Sequence, residues 1–193
     1  MAVCIPIRSA GLAVLALGAA LLVLIVSAPA PATAADACGK WGDTGPGELA
    51  PGEARKAILC LINEERDKAG LGSLDRDKRL QKAAQRHNDR MDGTGCFDHA
   101  CNGEGELGRR LEAVGYLSGG LTRWAYGENI AWGMGSRATP EAIVDAWMHS
   151  SGHRANILSR DFRELGVGYS AGTPSGSRDQ GGIYTADFGL RVG

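Results

Sequence analysis

The chain has 193 residues, with 21 basic side chains against 22 acidic ones and a formal charge of −1. That length fits one domain plus an export signal and excludes a two-domain protein. A nearly balanced charge offers no general attraction to nucleic acid or to an anionic membrane, so neither is expected as a partner.

Arg8 precedes Gly11 to Val26, a run without charged or strongly polar side chains. Ala32-Thr33-Ala34 follows as a small-residue cleavage site, so residues 1–34 are predicted to be a signal peptide. The apolar run falls just short of a bilayer span, and no stable span is expected after cleavage. The mature protein is therefore expected to be secreted, either into the medium or onto the cell wall. Residues 35–51, rich in Gly, Pro and Ala, read as an irregular N-terminal segment ahead of a domain over 52–190.

The first helix is predicted to start near Gly52, with Ile58, Leu61, Ile62 and Ala69 on one stripe and Gly70 ending it. Cys60 lies off that stripe. A second helix is expected from about Asp75 to Met91, with Leu80, Ala83, Ala84, His87 and Met91 inward. His87 on this stripe reads as a buried, hydrogen-bonded structural histidine. A glycine-rich loop precedes a short helix with Leu107, Leu111 and Val114 inward and Gly115 as its cap. Thr139-Pro140 opens what reads as the last clear helix, with Ile143, Val144, Trp147 and Met148 on its apolar face. Alternation then predicts strands over Leu165–Ala171 and Ile183–Phe188, joined by a long loop over 172–182. Helices first and strands last predict an α+β fold, with helices packed on a largely antiparallel sheet.

Of the five cysteines, Cys4 would leave with the signal; Cys38, Cys60, Cys96 and Cys101 remain. An even set in an exported chain predicts two disulfides. Three connectivities are open. The short separation of Cys96 and Cys101 favours a small ring between them, leaving Cys38 for Cys60. Loops of these sizes would stabilise the fold by roughly 2 and 3 kcal/mol. A four-thiolate zinc site needs paired C-x-x-C spacing, which is absent.

Three polar segments stand apart and read as loops: residues 96–101 with His99, residues 127–130 with Glu128, and residues 150–158 with His153. Together with Leu61-Ile62-Asn63-x-x-Arg66, Gly115-Tyr116, Ala146-Trp147-Met148, Leu165-Gly166-Val167-Gly168-Tyr169 and Asp187-Phe188-Gly189, they resemble the CAP superfamily. That family takes in cysteine-rich secretory proteins, antigen 5 and pathogenesis-related protein 1, and its domain is also called SCP. The likeness runs over roughly residues 55 to 190 and is of the bacterial type.

The resemblance implies an α-β-α sandwich with a cleft holding His99, Glu128 and His153. The second glutamate common in animal and plant members is replaced by Ser150, which weakens any mechanism needing two carboxylates. Asn129, Ser150, Arg154 and Asn156 are expected to support the cleft, the two asparagines by bonding backbone groups.

The reading adopted is a non-enzymatic module that binds a small amphiphilic molecule or an extracellular protein. Trp124 and Trp132, flanking Glu128 in what reads as a loop, are the contact candidates, while Trp147 is expected in the core. An alternative is a zinc or other divalent-cation site on His99 and His153 with Glu128. A further alternative is a hydrolase with Ser150 or Ser151 as nucleophile, His153 as base and Glu128 as orienter. A Cys96–Cys101 ring would restrain His99 and preorganise the cleft.

Overall fold

The computed structural model describes residues 38–39, 41–177 and 180–193; the expected signal peptide lies outside the described residues. Helix α1 spans Pro51–Lys68. Proline takes its first position, where no amide hydrogen is needed, and the Glu53 carboxylate accepts from the Ala50 amide. The chain leaves α1 through Gly70, at φ +67°.

The second helix starts later than its sequence predicts. Asp75–Arg76 form a short strand, β1, and Asp77 caps helix α2, Lys78–Thr94. Asp77 accepts from the amides of Arg79 at 2.7 Å and Leu80 at 3.0 Å. A carboxylate satisfying two free amides outranks the acidic residue two positions earlier as the start signal. The expected stripe is buried as predicted, with Asn88 added.

Helix α3 is Leu107–Ala113, and strand β2 runs over Arg123–Met134. A single 3-10 turn leads to helix α4, Pro140–His149, whose Thr139 hydroxyl caps the Ala142 amide. Helix α5, Ser151–Ile157, follows at once, so α4 is not the last helix. Strands β3, Glu164–Ala171, and β4, Gly181–Val192, complete the sheet.

The sheet order is β1-β3-β4-β2, parallel only between β1 and β3. On one face lie α2 and α3; on the other lie α1, α4 and α5. Strand β4 is buried from Gly181 to Leu190, as a central strand covered on both faces must be. Leu165, Val167, Tyr169, Tyr184, Ala186 and Phe188 meet Ile58, Ile62 and Trp147 in the larger core. The opposite face admits α2 closely: a Cβ on Gly166 would strike the backbone of Leu80 and Gln81, and one on Gly168 that of Ala84.

Both expected disulfides are present, Cys38–Cys60 and Cys96–Cys101. Among the described residues no helix is long and apolar enough to cross a membrane.

Candidate functional site

The segment around Glu128 is not a loop. It is the middle of β2, a twelve-residue edge strand paired with β4 along its length. The even-numbered side chains Trp124, Tyr126, Glu128, Ile130, Trp132 and Met134 therefore share one face. Glycines at 127 and 133 and two large aromatics at solvent-facing positions hide the alternation that marks a strand. Gly127 has its own reason: a Cβ there would meet the Asn156 amide oxygen at 2.9 Å.

Glu128 is almost wholly buried, and both its oxygens are engaged. His99 Nδ1 lies 2.8 Å from Oε1, and Arg110 Nη2 donates to Oε2 at 2.8 Å. Across the sheet it pairs with Asp187, fully buried, whose oxygens receive no N–H donor. Burial, then the Glu128 charge, push the Asp187 carboxyl well up and so favour its protonated form. Burial pushes Glu128 up as well. The His99 hydrogen bond and the Arg110 and His87 charges outweigh that effect and hold Glu128 below the usual carboxylate range.

His99 stands on the loop closed by Cys96–Cys101, with its side chain 53 % exposed. Arg110 Nη2 also donates to the His99 carbonyl at 3.2 Å, tying the loop to α3. The Glu128 hydrogen bond is the largest influence on His99 and holds its imidazole above the ordinary value. His153 moves the other way, lowered by burial and then by the His99 charge. His99 therefore favours its charged form and His153 its neutral form.

His153 sits in the first turn of α5 rather than in a loop. Asn129, next to Glu128 on β2 and so facing the other side of the sheet, donates to the His153 carbonyl at 3.0 Å. Asn156 donates to the Glu128 carbonyl at 3.1 Å and to Asn129 Oδ1 at 2.9 Å. These amides fasten α5 to the outer edge of β2, from a strand and a helix rather than from irregular segments. The Trp147 indole, buried in the core, caps the neighbouring Ile130 carbonyl at 3.2 Å. Arg154 is exposed, and its side chain has no partner among the described residues.

Sequence reasoning did not place Arg110, Glu104 and Asp187 in the site. His87 is buried as expected, but its Nδ1 lies 2.9 Å from Glu104, and its Nε2 lies 3.9 Å from Glu128. It belongs to a buried charge network beneath the cleft. Two signals for this network exist in the sequence. Arg110 falls three residues after Leu107, on the inward stripe of α3. Asp187 is the one acid in a central strand that is apolar apart from Thr185 and Arg191.

Ser150 caps neither helix it joins through its side chain, and no hydrogen bond links Ser150 or Ser151 to His153 among the described residues. As metal ligands, His99 and His153 could offer one imidazole nitrogen each. Glu128 is committed to His99 and Arg110, and the ligand atoms of the three residues do not all lie within 4.8 Å of one another. Among the described residues the group that does is Cys38, Cys60 and Glu64, whose sulfurs are joined in a disulfide.

Against known proteins, the model for the cysteine-rich secretory protein family, CAP, matches residues 59–188. The uncharacterized protein YkwD of Bacillus subtilis is 36% identical over 133 residues, which cover 69% of this chain and 46% of YkwD. The uncharacterized membrane protein YlbC of the same organism is 35% identical over 60% of this chain and 31% of its own length. The chain thus spans less than half the length of these relatives. Among solved structures, an extracellular protein containing a SCP domain from Bacillus anthracis aligns with TM-score 0.57 and 29% identity, covering 74% of this chain and 44% of that one. An outer surface protein from Borrelia burgdorferi shares the fold with TM-score 0.61 at 21% identity, over 75% of this chain and 97% of that one.

Proposed function

This chain belongs to the CAP, or cysteine-rich secretory protein, family, and on that footing we propose that it is exported and works as a non-enzymatic binding module. Export is supported by the signal-like N-terminus, by two disulfides, and by the extracellular and outer-surface relatives. The ligand is an amphiphile. Its polar end meets His99 and His153, with Glu128 fixing the charge of His99, and its apolar part lies along the aromatic row of β2.

One observation carries this reading: Trp124 and Trp132 are 54% and 45% exposed on the same strand face as Glu128, bracketing it together with Tyr126 and Met134. Large apolar side chains left in solvent on both sides of a built polar pair mark an interaction surface. The Cys96–Cys101 loop packs over Ile130 in the middle of that row, so His99 is presented at its centre.

A fluorescent long-chain fatty acid serves as the probe. The wild-type protein is expected to bind it, and Trp124→Ala/Trp132→Ala to weaken binding at least tenfold, on the order of 1.4 kcal/mol, with little change in melting. His99→Ala/His153→Ala is expected to do the same. Unaltered affinity in both variants contradicts the reading. Failure of the wild type to bind overturns the amphiphile and leaves a protein partner for the same face.

A further inference from the structure

The cleft makes no use of Arg66, the arginine of the Asn63-x-x-Arg66 motif at the end of α1. Its side chain is 2% exposed. Nε donates to the Gly72 carbonyl, and Nη1 to the Ile157 and Ser159 carbonyls, each at 2.8 Å. Nη2 has no acceptor among the described residues.

Arg66 lines a cavity of about 270 Å³, shared with residues 70–73 after α1 and with Arg160 and Arg163 between α5 and β3. No carboxylate lines it. Asp161 is turned to Arg123 at 2.9 Å, and Glu164 accepts from the Tyr116 hydroxyl at 2.6 Å. The Arg160 side chain has no partner among the described residues, and Arg163 Nη1 reaches only the Arg160 and Phe162 carbonyls. Burial, then the Arg163 charge, lower the Arg66 guanidinium, a sign of how closely these cations are gathered.

Three like charges around one hollow repel unless an anion joins them. The carbonyls at the C-terminal ends of α1 and α5 would oppose an anion. Arg66 already occupies those of Ile157 and Ser159, which leaves a net positive field. The Gly72 and Ser73 amides and the Ser73 hydroxyl are also without partners among the described residues. The volume lies below that of ordinary small-molecule pockets and suits a single ionic group. Guanidinium forks match the oxygen spacing of phosphate.

We propose that this cavity binds a phosphate-sized oxyanion, held by Arg66, Arg160 and Arg163, either as free phosphate or as the phosphate group of a larger molecule. It is separate from the histidine cleft and independent of the function assigned to that cleft.

The test is calorimetric titration of inorganic phosphate, at fixed ionic strength, into wild-type protein and Arg160→Gln/Arg163→Gln. Both positions are exposed and outside the cleft. Phosphate is expected to bind the wild type and raise its melting temperature, and to bind the variant at least tenfold more weakly. Should the double variant not fold, Arg160→Gln alone makes the comparison. No binding by the wild type, or equal binding by both proteins, overturns the proposal. Vesicles of equal parts phosphatidylglycerol and phosphatidylcholine distinguish the sources. Cosedimentation that phosphate competes away, and that the variant lacks, assigns a lipid headgroup. Phosphate binding without cosedimentation assigns a soluble phosphate. Cosedimentation that phosphate leaves unchanged overturns the cavity as its cause.

Discussion

Arg110→Ala is expected to destabilise the fold by about 3–5 kcal/mol at neutral pH, the range for removing one partner from a buried charge pair. Arg110 is nearly inaccessible and donates to Glu128 from below the cleft, while its Nε lies 3.8 Å from Glu104. Without it, the buried carboxylates of Glu104 and Glu128 keep only His87 and the half-exposed His99 as partners among the described residues. The same truncation releases the His99 carbonyl, so the disulfide loop should loosen as well. Urea unfolding at pH 7 measures the effect. A loss below about 1 kcal/mol would place Arg110 among exposed pairs of small worth and refute its role as the keystone of the network.

Gly166→Val is the second large effect. The β-carbon alone would overlap the α2 backbone at Leu80 and Gln81, and a helix backbone cannot step aside as a flexible side chain can. Overpacking of a close-packed contact typically costs about 1–3 kcal/mol, and a bulky β-branched side chain against backbone should exceed about 3 kcal/mol. Because α2 carries His87 and covers Asp187, the variant should also lose the native titration of His99 before it loses its helices. Wild-type stability by thermal unfolding would contradict this packing.

Much of the scaffold was legible in the residues. The α1 stripe through Ile62, the α2 stripe, the Thr139-Pro140 start, the two closing strands and both disulfides could be read because each rests on a local pattern; Ala69, expected on the α1 stripe, instead lies exposed just past the helix end. Strand β2 was hidden because its exposed face is aromatic, and exposed Trp and Tyr do not show the polar alternation of a half-buried strand. His99, Glu128 and His153 could be named in advance, but the buried groups around Glu128, namely Arg110, Glu104 and Asp187, could not. Glu104 comes from a loop without periodicity, and the meeting of Glu128 with Asp187 depends on a strand register that no local signal specifies. Arg66 was visible as part of a motif, whereas the absence of acids around it emerges only when the α5–β3 loop folds beside α1.

The fold brings His99 against Glu128, which raises the His99 pKa, and partly buries His153, which together with the His99 charge lowers that of His153. The raised His99 stabilises the fold fully below the ordinary histidine pKa, and that contribution fades as pH rises through the native His99 value. An NMR titration of the imidazoles tests this directly. His99 is expected to titrate above the ordinary histidine value and His153 below it, with Glu128→Gln returning His99 toward the ordinary value. Two histidines titrating independently at ordinary values, unmoved by that substitution, would contradict it.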